Sequence, residues 1–289
     1  MPRAVAADKV SLFYKDWGPV DGSPIVLIHG WPLTGDTFDD LALALAEKGY
    51  RSLVPDRRGF GRSDQPWDGY DYDTFASDID AVLADAGISG SFAVAGFSMG
   101  GGEVAKLVER HKDRISKAIL ISSIVPYMLK TDDNPNGVPQ HVFDQIADGI
   151  KKDRADFFTS FAKDFYGVGL VSHPVSDAVL HDFFRQAMMA GLRPTLAAAK
   201  AFASTDLRGT LRHFTMPTLV IHGTSDATVP IEATAREVAK AIPNAQLIEY
   251  DGAAHGLFAS DKQKLIDDIR AFLGTAADMR SAIPLQQPA

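Results

Sequence analysis

The stretch VAGFSMGGGEV, residues Val94 to Val104, passes from an apolar run into a helical pattern through four glycines and one serine. Glycine weakens helix and strand interiors by roughly 0.5–1 kcal/mol relative to alanine. Four of them around one serine therefore mark a turn that side chains would obstruct. Gly96–Gly100, G-F-S-M-G, matches the G-x-S-x-G elbow, in which a sharp strand-to-helix turn presents a serine at the top of a sheet. Gly96 and Gly100 flank Ser98 where a Cβ would collide across the turn, and Gly101 and Gly102 let the helix approach its neighbours. The Met99 N–H falls at the helix N-terminus, where unpaired donors and the dipole favour an anion.

Two plainer readings compete. A packing turn with an incidental serine would need no partners elsewhere in the chain. Gly100–Ala105, G-G-G-E-V-A, also fits the loose G-x-G-x-x-A form of a dinucleotide fingerprint. In that motif the first glycine directly follows the strand, whereas here the serine turn intervenes.

Outward from the elbow, apolar runs alternate with helical patterns. VSLFYKDW, SPIVLIHG, RSLVPD, SFAVAG, KAILISS, PTLVIHG and AQLIEYDG have strand length. GDTFDDLALALAEKGY has helical spacing and stops at Gly49, and further helices are expected over 72–86, 99–110, 232–242 and 261–273. Fully apolar strands alternating with helices predict an α/β fold, a mostly parallel central sheet with helices on both faces. The alternation lapses after LISSIVP. A polar stretch, KTDDNPNGVP, precedes about 65 residues of helical pattern, including QHVFDQIADGI, DRADFFTSFAKDFYG and SDAVLHDFFRQAMMAGL. Residues 1–125 and 205–289 are read as the core and 126–204 as an inserted helical cap. The last stretch, 275–289, lacks periodicity and reads as a loosely held tail.

In a parallel sheet, residues just past the strand carboxyl ends share one crevice. Four such ends are Trp31 after IVLIHG, Ser98 after FAVAGF, Asp226 after TLVIHGTS and His255 after LIEYDGAA. A serine, an acid and a histidine in that chain order are the parts of a nucleophilic triad. Asp226 is preferred as the acid over Asp206, which ends the cap, and Asp251, which suits ordinary turn chemistry. His255 lies in a small-residue loop, whereas His29 and His222, both in IHG, read as loop-orienting. The other five histidines lack a metal-ligand spacing. Trp31 and Met99 N–H groups are the candidate oxyanion donors. The charged loop DRRGFGRSD, Asp56 to Asp64, reads as internal salt bridges. The cap aromatics Phe157, Phe158, Phe161, Phe165 and Tyr166 read mostly as cap core, with one or two facing the pocket.

The chain has 289 residues, 46% of them apolar and 23% charged, with a net charge of −8. That balance gives no electrostatic footprint for nucleic acid and disfavours anionic membranes. The absence of cysteine excludes disulfides, thiolate catalysis and cysteine-held metals. The N-terminus makes a poor signal peptide, because Asp8 and Lys9 interrupt its apolar residues, and a cytoplasmic protein is expected.

HGWPL, VPDRRGFGRS, YDYDTFASDI, GFSMGGGEV, LKTDDNPNGVP, AFASTDL, PTLVIHG, VPIEAT and HGL together resemble the α/β-hydrolase superfamily. Within it they are similar to the cofactor-free haloperoxidases, or perhydrolases, a branch that includes arylesterases and a γ-lactamase. The resemblance covers the chain to about Leu273. It implies a triad of Ser98, Asp226 and His255 with Trp31 and Met99 as oxyanion hole, acting on small carboxylic esters and, with hydrogen peroxide, forming peracids. It implies no cofactor and no metal, a small ester or acid substrate, and a homo-oligomer. Pro32 and Leu257 are expected near the pocket, with a plain turn proline the alternative at position 32. The sequence departs from the pattern at HGTSD, which lacks an acid common two positions before the aspartate, and at GAAHG, which lacks a proline before the histidine. A γ-lactam amidase on the same triad remains an alternative, as does a ligand-binding receptor without turnover. Aspartate-nucleophile chemistry is disfavoured, because serine stands at position 98.

Overall fold

The apolar runs become a single eight-stranded sheet in the computed structural model, which describes residues 1–274. The tail expected over 275–289 lies outside those residues. The strands are β1 (Arg3–Val5), β2 (Ser11–Trp17), β3 (Ser23–Ile28), β4 (Tyr50–Pro55), β5 (Phe92–Phe97), β6 (Ile115–Ile121), β7 (Thr218–Gly223) and β8 (Ala245–Tyr250). The helices are α1 (Asp39–Ala46), α2 (Tyr72–Asp85), α3 (Gly100–His111), α4 (Gln140–Tyr166), α5 (Asp177–Met189), α6 (Leu192–Ser204), α7 (Ala235–Ala241), α8 (Leu257–Ser260) and α9 (Lys262–Leu273).

The strand order is β1-β2-β4-β3-β5-β6-β7-β8, antiparallel across β1, β2 and β4 and parallel from β4 to β8. Every residue of β4, β5 and β7 is buried, as expected of strands covered on both faces. The chain runs from β3 to β4 on one side and returns to β5 on the other. The order therefore reverses between β3 and β5, and at such a switch point the loops diverge and leave a crevice. The loops that carry Trp31 and Ser98 open there.

β1 was not foreseen. Three residues are too few to carry a readable alternation, and its pairing to β2 is set by contacts far from the local pattern.

Between β6 and β7 lie α4, α5 and α6, with no strand of the sheet among them. α4 is one run of helix broken at Asp153, whose φ of −157° and ψ of 96° are not helical. The Asp153 carboxylate accepts the N–H groups of Ala155 and Asp156, each at 3.0 Å, and so caps the second half. No helix among the described residues is long and apolar enough to cross a membrane.

The arginine-rich loop after β4 is an internal salt-bridge network. Arg58 bonds Asp78 and Asp8, and Arg62 bonds Asp56 and Asp36. Arg57 pairs with Glu103 on α3, both side chains 1% exposed. It also donates to the His29 carbonyl at 2.6 Å, which ties α3 to the loop after β3.

Candidate active site

Ser98 follows β5 with φ of +53°, in the left-handed region that residues with a Cβ rarely occupy. The elbow enforces it. A Cβ at Gly96 would overlap the Gly100 carbonyl oxygen, and one at Gly100 would overlap the Ile28 carbonyl oxygen on β3. The strand, the turn and the helix start thus approach closely only without those side chains. Local backbone strain of this kind clusters at functional sites.

His255 follows β8 and is 1% exposed. Its Nε2 lies 2.9 Å from the Ser98 Oγ, and its Nδ1 lies 2.6 Å from Asp226 Oδ2. Because a carboxylate only accepts, Nδ1 carries the proton and Nε2 is free to accept the serine hydroxyl proton. The imidazole is wedged between the rings of Phe97 and Phe165, at centroid distances of 5.0 and 4.8 Å. Its loop is fastened from two sides: the Ser122 hydroxyl donates to the His255 carbonyl, and the Gly256 N–H donates to the Phe165 carbonyl on α4.

Asp226 lies three residues past β7. Its Oδ1 accepts the N–H groups of Thr228 at 2.9 Å and Val229 at 2.8 Å. Burial opposes its ionisation, but the His255 and His222 imidazoles outweigh that and hold its carboxyl well below the usual carboxylate range. The rival acids are elsewhere engaged: Asp206 pairs with Arg208, and Asp251 accepts the Thr224 hydroxyl.

Trp31 follows β3, in a turn closed by the Leu33 N–H donating to the Gly30 carbonyl at 3.1 Å. The preceding His29 is fully buried. Its Nε2 accepts the Arg57 N–H at 2.9 Å, so its Nδ1 carries the proton and donates to the Gly30 carbonyl at 2.8 Å. Burial, with the Arg57 guanidinium beside it, pushes His29 well below the ordinary imidazole value and keeps it neutral. Met99 stands at the N-cap of α3, where main-chain donors have no partner within the helix.

A cavity of about 580 Å3 opens over Ser98, bordered by residues of α4 and α6. Trp31, Met128, Phe143, Phe157, Phe161 and Val229 give it apolar walls, and Gln145 and Asp164 bring polar groups to it. Of the α4 aromatics, Phe157 and Phe161 face this space, while Phe158, Phe165 and Tyr166 are buried. Pro32 and Leu257, expected at the pocket, do not line it. Pro32 is buried inside the Gly30–Leu33 turn while the Trp31 ring takes the cavity wall. Leu257 begins α8 and turns into the core.

Sequence reasoning gave His222 only a loop-orienting part. The structure sets its Nε2 3.2 Å from Asp226 Oδ2, on the carboxylate that also meets His255. The available signal was its place as the penultimate residue of the strand that leads to Asp226.

The family model described as the alpha/beta hydrolase fold matches residues 23–262. The chain is 42% identical to a non-heme chloroperoxidase of Kitasatospora aureofaciens, over 94% of this chain and 99% of that one. It is 40% identical to a bifunctional esterase/perhydrolase of Acinetobacter calcoaceticus, over the same shares. Among solved structures, a bromoperoxidase from Bacillus anthracis superposes with a TM-score of 0.88 at 38% identity, covering 94% of this chain and 99% of that one.

Proposed function

The chain belongs to the α/β hydrolase fold family, and from that premise we propose that it is a serine hydrolase of small carboxylic esters that also forms peracids. The observation that carries this reading is the unbroken chain of hydrogen bonds from Ser98 Oγ through His255 to Asp226, beside an apolar cavity.

In this scheme Ser98 Oγ attacks the ester carbonyl carbon while its proton passes to His255 Nε2. Asp226 holds the imidazole in the accepting tautomer and stabilises the imidazolium. The main-chain N–H groups of Trp31 and Met99 stabilise the oxyanion. One such donor is worth about 10²–10³ in rate. The alcohol leaves with the proton from His255, and Ser98 is left acylated. Water or hydrogen peroxide then gives its proton to His255 and attacks the acyl carbon, and Ser98 regains a proton as the acid or peracid departs. A peracid formed this way oxidises halide in solution by oxygen transfer, which returns the carboxylic acid. Residues 126–204 act as the cap that shapes the acyl pocket. Its aromatic walls suit acyl and aryl groups without charge.

The test is a panel of aryl acetates and a bicyclic lactam, with and without peroxide, alongside labelling by a fluorophosphonate. The expected result is Ser98 labelling, fastest turnover on the aryl acetate and peracid only with peroxide. An unlabelled Ser98 would indicate a binding protein without turnover, and faster lactam cleavage would replace the acyl donor.

The pH dependence follows from the acid's environment. Because the carboxyl of Asp226 is depressed, it stays ionised throughout the range in which imidazole titrates. The acid limb of kcat/KM should then follow one ionisation, with no second carboxylate step above about pH 4. By linkage, the same depressed group contributes stability that is fully present above its unfolded value of about 3.9 and lost only as pH falls below it. A second proton on the acid limb above pH 4 would contradict the assignment.

A further inference from the structure

His222 is completely buried on β7, and one nitrogen of its ring faces two acceptors at once. Its Nε2 lies 2.9 Å from the Val229 carbonyl oxygen and 3.2 Å from Asp226 Oδ2. Neither acceptor can donate, so Nε2 carries the proton. The other nitrogen, Nδ1, is buried and has no hydrogen-bond partner. A second proton there would be an unsatisfied buried donor, which fixes the ring as the neutral Nε2–H form.

We propose that His222 is a positioning residue for the triad acid, sharing one N–H between the Val229 carbonyl and Asp226 Oδ2. The inference rests on the reading of Asp226 as that acid. Two consequences follow from the geometry. The Asp226 carboxylate has its full complement of donors, Thr228 and Val229 N–H on Oδ1 and the His255 and His222 imidazoles on Oδ2, so its plane is fixed toward His255. In addition, the His222 N–H draws charge from the oxygen that His255 uses, which moderates the hold of Asp226 on the imidazolium.

The charged groups around His222 are few. Asp226 comes from its own loop, His255 from the loop after β8, and Glu249 is its register partner on β8. Glu249 is occupied by Arg236 of α7, the helix packed on β7, and the Glu237 and Lys240 of that helix pair with each other. From β6, the neighbours Ile121 and Ser122 carry no charge.

The experiment has two arms. In wild-type protein, long-range 1H–15N correlation spectra should report His222 as the Nε2–H tautomer. An Nδ1–H tautomer overturns the proposal. In the second arm, His222→Leu removes the donor and His222→Gln returns an amide N–H to the same place. His222→Leu should lower kcat about tenfold with KM nearly unchanged, and move the acid limb of kcat/KM upward by about half a pH unit. His222→Gln should restore the limb. A wild-type profile in His222→Leu, or the same upward shift in both variants, refutes the idea. If His222→Leu fails to fold, the tautomer and the His222→Gln profile decide. Fluorophosphonate labelling of wild-type Ser98 separates this failure from failure of the triad reading itself, in which Ser98 would stay unlabelled.

Discussion

Ser98→Ala should abolish ester hydrolysis and peracid formation together, each by a factor on the order of 10⁶ in kcat, the scale found when a triad nucleophile is removed. Both losses follow from one cause, because both products leave from the same acyl-enzyme. The fold should be unaffected. Alanine has the same Cβ as serine, so the left-handed backbone at position 98 is no more strained than before, and only the hydrogen bond to His255 is lost. Substrate affinity should persist, since the cavity walls are untouched. Water-level turnover enhanced by about 10³–10⁴ would remain from the oxyanion donors and binding. Measured rates with an aryl acetate, with and without peroxide, check this. Peracid formation surviving in Ser98→Ala would mean that peroxide reacts by a route outside the acyl-enzyme.

The second large effect is on stability. Glu103→Leu leaves the Arg57 guanidinium buried without its paired carboxylate, held by the His29 carbonyl and the faces of Phe60 and Phe75, and should destabilise the fold by about 3–5 kcal/mol. Taking charges out of water is costly, and the pair endures because each compensates the other. Burial pushes the Glu103 carboxyl up, and the Arg57 guanidinium opposes that shift. For a domain of this size the loss should appear as a fall in Tm on the order of 10 °C. Arg57→Met combined with Glu103→Leu should recover most of it, because two apolar side chains leave no charge stranded. The double variant should still turn over more slowly than wild type, since Arg57 also anchors the loop that carries Trp31. Calorimetry and kcat on the three variants test both statements. A single variant with unchanged Tm would show that the pair is not what holds α3 to that loop.

Most of the sheet could be read from the chain because its strands are continuous apolar runs bounded by turn residues, as in SPIVLIHG and PTLVIHG. The elbow was equally legible, since glycine is required wherever main-chain atoms of two segments approach as closely as Gly100 approaches Ile28. Less local features were hidden. Glu103 looks like an ordinary helix residue, and its partner Arg57 lies 46 positions away. Which cap aromatics face the cavity depends on how α4 turns at Asp153, a backbone angle with no composition signal of its own. Pro32 and Leu257 follow the same lesson: they lie one and two positions past candidate site residues, but closeness along the chain does not set the direction of a side chain. His222 was visible as a histidine at a strand end, but its engagement with Asp226 requires the loop to double back until Val229 reaches it.

The Trp31 ring joins two parts of the molecule. Its Nε1 donates to the Thr195 carbonyl of α6 at 3.0 Å, and the ring packs at steep angles against Phe158, Phe161 and Phe202 from α4 and α6. The helices that line the cavity are thus the same ones that steady the loop after β3. Enlarging the cavity through α4 or α6 should therefore also shift that loop, so a change in acyl room and a change in turnover are expected to arrive together.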